Sequence, residues 1–304
     1  MARRSRWIGW TAACGVALYG LAGGILCEWA LHPPRRQVPP DPDAHTVEIR
    51  ASDDVLLRGS LYHPASANGG AVLVLHGIAD SRASEGGLAR MLAAHGYTVL
   101  APDSRAQGES GGDLVTYGLL EADDVHRWVS WLIAEEHPRK ILGLGESLGG
   151  GVLIESLAVE HRFSGIVAEC SFASLARIAR DRVAEALPFP RRMGEILAAL
   201  PVSSALLYAR LRYGLNLWNA SPQEAIARSS TPVLLIHGLA DRKTPWQHSQ
   251  SLAAANPRTT TLWLVPGAGH TGAYGAEPKE FERRVLGFFA AYQNLPPGIQ
   301  VREK

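Results

Sequence analysis

The pentapeptide Gly145-Glu146-Ser147-Leu148-Gly149 constrains the fold of this chain more than any other feature. An apolar run, residues 141–144, precedes it, and a helix-like apolar stretch, residues 151–154, follows it. A serine between two glycines at such a junction is typical of a sharp strand-to-helix turn that exposes the hydroxyl. Side chains at the glycine positions would collide with the neighbouring strand and helix. The pattern predicts Ser147 as a nucleophile, with a plain tight turn as the alternative.

A serine hydroxyl becomes a useful nucleophile only when a base takes its proton and an acid orients that base. Two later strand-like runs, residues 232–236 and 260–265, each end in a loop, and these loops contain Asp241 and His270. The carboxyl ends of parallel strands meet at one edge of a sheet, so the three side chains are expected to converge there. We predict Ser147 as nucleophile, His270 as general base and acid, and Asp241 as the orienting carboxylate.

A second aspartate competes with Asp241, because residues 73–80 nearly repeat residues 234–241 and end in Asp80. Chain order separates them, since the acid should fall between the nucleophile and the histidine, whereas Asp80 precedes Ser147. His237 lies at a strand end directly before a glycine, and we interpret it as structural.

Attack by a serine creates an oxyanion that needs hydrogen-bond donors already in place. The N–H of Leu148, directly after the nucleophile, is one expected donor, and the loop after the third strand supplies the other. That loop contains His76-Gly77-Ile78, and we predict the N–H of Ile78. The alternative is a loop that only ends a strand.

Short apolar runs alternate with helical patterns along most of the chain, which predicts an α/β fold. Eight strands with the Ser147 turn after the fifth indicate a mostly parallel sheet with helices on both faces. The predicted strands are 46–50, 55–62, 71–75, 98–101, 141–144, 165–168, 233–236 and 262–265, and the predicted helices are 85–94, 119–136, 148–160, 248–255 and 279–292.

The alternation breaks between residues 171 and 230, where no strand pattern occurs. We predict a helical cap there that lies over Ser147 and excludes water. Five large side chains in or beside it are candidate walls of a pocket, with ordinary packing as the alternative: Phe172, Phe189, Leu207, Tyr213 and Trp218.

Taken together, these motifs resemble a serine hydrolase of the α/β-hydrolase superfamily, in particular the bacterial and ABHD-like branch grouped with serine aminopeptidases and cinnamoyl-esterase-like enzymes. The residues that carry the resemblance are His76-Gly77, Asp103 to Ser110, Gly145 to Gly150, Leu235 to Asp241 and Gly269-His270. The resemblance implies a small-molecule ester as substrate. Family members often have Arg-Gly-His-Gly where this chain has Arg105-Ala106-Gln107-Gly108, so we interpret Asp103 and Arg105 as a structural clasp of that loop.

The expected activity is cleavage of carboxylic esters, with thioesters included, through an acyl-enzyme. An apolar acyl group is expected because an apolar cap would cover the serine. Amide or peptide hydrolysis of the aminopeptidase type on the same triad is the first alternative, and a non-catalytic interaction protein is the second.

The formal net charge of +1 gives no electrostatic reason to expect binding of nucleic acid. No Cys/His cluster has metal-ligand spacing, and no dinucleotide motif occurs, so neither a metal nor a cofactor is expected.

The N-terminus predicts contact with a membrane. Three arginines lie within the first six residues, and the run from Trp7 to Cys27 carries no charge, a length that matches the about 20 residues of a bilayer-spanning helix. A cleaved signal peptide is the alternative. The arginines favour a cytoplasmic N-terminus and an extracytoplasmic domain. The predicted organisation is an anchor or signal at 1–30, a Pro-rich linker at 31–45, the hydrolase domain at 46–292 with its cap at 171–230, and a tail at 293–304.

Overall fold

The computed structural model describes residues 19–293, so most of the predicted tail and the first part of the predicted anchor lie outside the described residues. The strands are β1 (His45–Arg50), β2 (Leu56–Tyr62), β3 (Gly70–Leu75), β4 (Thr98–Pro102), β5 (Lys140–Glu146), β6 (Phe163–Glu169), β7 (Val233–Gly238) and β8 (Thr260–Val265). The helices are α1 (residues 19–31), α2 (Gly86–Ala94), α3 (Glu121–Glu136), α4 (Leu148–Ser156), α5 (Leu175–Ala186), α6 (Arg191–Tyr213), α7 (Pro222–Arg228), α8 (Gln247–Ala255), α9 (Ala273–Ala276) and α10 (Pro278–Gln293).

All eight strands form one sheet in the order β1-β2-β4-β3-β5-β6-β7-β8. Only β2 runs against its neighbours β1 and β4, and the other pairs are parallel. The predicted fold, a mostly parallel eight-stranded sheet with the Ser147 turn after the fifth strand, is therefore confirmed.

The two faces of the sheet bury separate apolar clusters. Along β3, Leu73 and Leu75 face one cluster, whereas Val72 and Val74 face the other. This alternation follows from the period of two along a strand. Because both faces are covered, the central strands are apolar throughout, which is why each appears in the sequence as a short unbroken apolar run.

Residues 171–230 contain α5, α6 and α7 and no strand. Helices α5 and α6 pack on each other, whereas α7 packs against α4 and α8 of the main body, which is the sheet with its flanking helices. Within the described residues, α6 is the one helix long and apolar enough to cross a membrane, and a third of its most apolar window is buried in the protein.

Helix α1 is the described part of the predicted anchor, and it packs on α6. The Ser204 hydroxyl donates a hydrogen bond to the Tyr19 carbonyl at 2.9 Å, and the Tyr213 hydroxyl donates one to Glu28 at 2.7 Å. Cys27 and Leu31 are fully buried. The N-terminal region therefore contributes to the core beneath the cap.

The Pro-rich segment after α1 is also attached to the body. The Arg35 guanidinium donates to the carbonyl of Gly112, and that of Arg36 donates to the carbonyl of Ala79 at 3.1 Å. The Asp41 carboxylate accepts hydrogen bonds from Tyr62 and Arg90, both at 2.8 Å. The domain boundaries remain predictions, but residues 32–44 lie along the surface of the main body.

Candidate active site

Ser147 lies in the turn between β5 and α4 with φ 53° and ψ −111°. A non-glycine residue at positive φ is strained, and the surrounding backbone must hold it there. The Ser147 N–H donates to the carbonyl of Glu169 on β6 at 2.8 Å. A Cβ at Gly145 would stand 2.5 Å from the backbone of Gly149, and one at Gly149 would stand 2.2 Å from the carbonyl oxygen of Leu75. Both glycines are therefore required by close backbone approach.

The structure brings together the three side chains predicted to act in sequence. The Ser147 hydroxyl lies 2.8 Å from His270 Nε2, and His270 Nδ1 lies 2.7 Å from Asp241 Oδ2. With Nδ1 protonated toward the carboxylate, Nε2 is left to accept the serine proton. His270 is partly accessible from the cavity, whereas the Asp241 side chain is fully buried.

Asp241 is held as an anion. Its Oδ1 accepts the N–H groups of Lys243 and Thr244, at 2.8 and 2.9 Å. Burial alone would raise the pKa of Asp241, but hydrogen bonds from His237, His270 and Thr244 outweigh it and hold that pKa well below its usual range.

His237, interpreted from the sequence as structural, forms part of this support. Its Nε2 lies 2.8 Å from the Thr244 carbonyl and 3.2 Å from Asp241 Oδ2, and its Nδ1 lies 2.7 Å from the Ser249 hydroxyl. It therefore fixes the loop that contains Asp241.

The loop after β3 lies against Ser147. A Cβ at Gly77 would be 3.5 Å from the Cβ of Ser147, which places the following residue, Ile78, at the site. Leu148 is the first residue of α4, where a backbone N–H has no partner within the helix. Both predicted oxyanion residues line the same cavity as Ser147 and His270.

Gln107 supports the loop that carries Ile78, a contact that sequence reasoning missed. Its side-chain oxygen accepts the N–H of Ala79 at 2.6 Å, so it fixes the loop that carries Ile78. The only sequence feature that pointed to Gln107 was the departure from the family motif at this position.

Nearby, Arg105 pairs with both carboxylate oxygens of Asp124 at 2.6 Å, and Asp103 accepts the backbone N–H of Arg82 at 2.7 Å. These contacts agree with a structural clasp.

The site opens into a cavity of about 720 Å³. Its charged lining residues are Arg182 and Lys243, and no Asp or Glu lines it among the described residues. The remaining walls are mainly aliphatic and come from α5, α6 and, unexpectedly, α1, whose contribution is Leu26, Cys27, Trp29, Ala30 and Leu31. An adjoining, more polar cavity of about 410 Å³ shares Leu187 and Lys243 with it.

The predicted pocket walls are only partly correct. Phe172 lines the main cavity and Phe189 the adjoining one. Leu207, Tyr213 and Trp218 line neither, because Leu207 and Trp218 point to the surface and Tyr213 packs on α1. On α6 it is Leu206, one position earlier, that faces the cavity.

One group of described residues has ligand atoms close enough to hold a metal ion: Cys170, Asp241 and His270, within 4.8 Å of one another. Both nitrogens of His270 already have partners at hydrogen-bond distance. Burial raises the pKa of the Cys170 thiol far above its usual range, so the thiolate that a metal needs is disfavoured. These contacts favour the hydrogen-bonded pair of Asp241 and His270 over a metal site.

The family of the chain follows from comparison with known proteins. A model of the α/β hydrolase family matches residues 72–284, so the chain belongs to this family of proteins. It is 28% identical to the protein YfhR of Escherichia coli strain K12 over 245 residues, which cover 77% of this chain and 76% of that one. It is also 28% identical to YqkD of Bacillus subtilis strain 168 over 197 residues, 64% of this chain and 62% of that one.

Among solved structures, the Pyrococcus furiosus esterase Pf2001 superposes with a TM-score of 0.69 at 25% identity, covering 86% of this chain and 100% of that one. The family is thus established, whereas the branch near serine aminopeptidases and cinnamoyl-esterase-like enzymes remains a prediction.

Proposed function

We propose that this protein is a serine hydrolase that cleaves carboxylic esters with apolar acyl groups. The observation that carries the proposal is the continuous hydrogen-bonded series from Ser147 through His270 to Asp241, located at an apolar cavity. The structural similarity to an esterase agrees with it.

In the proposed reaction the Ser147 oxygen attacks the ester carbonyl while His270 Nε2 takes its proton. The N–H groups of Ile78 and Leu148 stabilise the oxyanion that forms. The intermediate collapses, the bond to the alkoxy oxygen breaks, and His270 returns the proton to the leaving alcohol. Water then attacks the acyl-enzyme with His270 as base, which releases the carboxylic acid and restores the serine. Asp241 keeps the imidazole in the required tautomer throughout.

The cavity favours esters over the aminopeptidase alternative. An aminopeptidase needs an acidic group to hold the ammonium of the peptide terminus, and among the described residues no carboxylate lines the main cavity. Asp181 and Glu185 line the adjoining cavity, where they already pair with His248 and Arg182. The aliphatic walls fit an acyl chain, and the adjoining polar cavity is available to the alcohol.

The test is a substrate profile of full-length protein in detergent, with p-nitrophenyl esters of graded acyl length beside aminoacyl anilides. We expect hydrolysis of the esters, with kcat/KM rising from acetyl to medium-chain acyl groups. A fluorophosphonate probe should label the wild type and not Ser147→Ala. Label retained in Ser147→Ala, or faster cleavage of the anilides, would contradict the proposal.

We also infer that residues 7–27 hold the protein in a membrane with the hydrolase domain outside the cytoplasm. The uncharged length of this segment and the preceding arginines support this location.

A further inference from the structure

The exposed side of the cap carries an unusual concentration of large apolar side chains. On α6, Ile196, Leu200 and Leu211 are 74%, 62% and 78% exposed. On α1, Leu21, Ile25 and Trp29 recur every fourth residue and are 64%, 63% and 77% exposed. We call these six residues the α1–α6 face. Exposed apolar residues clustered on two packed helices indicate a surface that meets something other than water.

The two helices lie side by side with the same chain direction. Tyr19 pairs with Ser204 near one end of the contact, and Glu28 pairs with Tyr213 near the other. Helix α1 and the second half of α6 are therefore parallel along the contact. A Cβ at Gly23 would stand 2.7 Å from the backbone of Ser204, which shows how closely the helices approach. Small residues at such a contact are typical of helix pairs in membranes.

The chain outside the described residues identifies what covers the face. Residues 7–18 are uncharged and lead directly into α1, and basic residues precede them. If residues 7–27 lie in hydrocarbon, α6 must meet the same bilayer, because Ser204 and Tyr208 contact Tyr19, Gly23 and Gly24. Exposed arginines near both ends of α6, Arg192 and Arg210, are placed to reach lipid headgroups.

Trp29 connects this face with the active site. Its side chain is largely exposed, yet it also lines the cavity that holds Ser147 and His270. The wall between the face and the cavity consists of α1 and α6 themselves, through Leu26, Ala30, Val202 and Leu206. An acyl chain that enters beside Trp29 would remain in apolar surroundings all the way to the serine.

We propose that the α1–α6 face is embedded in a lipid bilayer and that the substrate is an acyl ester dissolved in that bilayer, which enters the cavity beside Trp29. The substrate part rests on the proposed esterase activity, and the embedding rests on the inferred membrane segment at residues 7–27 and not on that activity.

Embedding is tested by labelling. In full-length Cys14→Ser protein, Leu200→Cys receives a nitrobenzoxadiazole probe, and the protein is reconstituted in phosphatidylcholine/phosphatidylglycerol vesicles. We expect a blue-shifted emission that nitroxide-labelled lipids quench. The matched control is Val159→Cys, which is 52% exposed just beyond the end of α4 that is opposite to Ser147, and whose probe should stay in water. A Leu200 probe that behaves like the control, or that is shielded from water without lipid quenching, as in a contact between two copies, overturns the proposal.

Entry is tested with the double substitution Ile196→Glu and Leu200→Glu. Neither side chain lines the cavity, so hydrolysis of soluble p-nitrophenyl butyrate should keep its wild-type rate. Hydrolysis of a long-chain ester held in vesicles should fall at least about tenfold, because charged side chains are expelled from hydrocarbon. Val159→Glu is the control and should change neither rate. Equal rates of vesicle hydrolysis in the double variant and the wild type would refute entry from the bilayer, whereas a wild type that cleaves no ester would refute the proposed function and leave the labelling result intact.

Discussion

At the scale of single residues, two aspartates end two nearly identical segments, and their surroundings separate them. Asp241 is buried and lies 2.7 Å from His270 Nδ1. Asp80 is partly exposed, accepts the N–H of Ser81 at 3.0 Å, and lies 3.8 Å from the Arg36 guanidinium. Similar local sequences therefore serve the proposed relay after β7 and a loop contact after the central strand β3.

This difference predicts the effect of removing each charge. Asp241→Asn should lower kcat about 10⁴-fold, because an amide favours the wrong imidazole tautomer. Asp80→Asn, which makes the same chemical change outside the relay, should leave kcat near the wild-type value. The measurement is kcat and KM on one p-nitrophenyl ester for both variants, and similar losses in the two would show that Asp80 also acts on the histidine.

Glu169 makes stability depend on pH. Burial raises the pKa of Glu169 to about 7, only partly opposed by the hydrogen bond from the Ala273 N–H. The folded state therefore binds a proton more tightly than the unfolded state, and its contribution to stability is complete below pH 4.5 and is lost as pH rises through about 7. The shift corresponds to about 3 kcal/mol between the two protonation states.

We therefore expect the free energy of unfolding to decrease between pH 4.5 and 8 in the wild type and to decrease less in Glu169→Gln, which stays neutral. Urea unfolding at several pH values measures both slopes. Parallel slopes in the two proteins would mean that Glu169 is already ionised when the protein is folded.

At the scale of helices and strands, two glycines of α1 allow the contact between α1 and α6 to be tested, because one lies in the contact and the other does not. Gly23→Val should push α1 away from α6, because even a Cβ there meets the Ser204 backbone at 2.7 Å. Gly20→Val, on the same helix, meets nothing within 4 Å. Since α1 forms one cavity wall, Gly23→Val should lower kcat/KM for long-chain esters by about tenfold and affect acetyl esters less. Gly20→Val should match the wild type on both, and equal profiles for the two variants would show that α1 does not shape the cavity.

The sequence predicted these elements unevenly, for a physical reason. The ends of the central strands were predicted to within about two residues, because burial on both faces leaves a short apolar run in the sequence. The convergence of Ser147, Asp241 and His270 followed from strand order alone. The role of α1 could not be found this way, since an uncharged run looks the same whether it contacts lipid or a cap helix. Leu206 was missed in favour of Leu207 because the rotation of a helix depends on its tertiary packing.

At the scale of the whole molecule, the N-terminal segment is expected to act as anchor and as cavity wall at once. A signal peptide cut near residue 25 would remove the contacts of Tyr19, Gly23 and Gly24 with α6, so retention of the segment favours an intact cavity. An uncleaved apolar segment preceded by arginines favours a cytoplasmic N-terminus. Full-length protein expressed in a bacterium should therefore fractionate with membranes and resist carbonate extraction, and protease added to spheroplasts should digest the hydrolase domain. Soluble protein with a new N-terminus near residue 25 would instead identify a cleaved signal, and a domain protected in spheroplasts would place the enzyme on the cytoplasmic face.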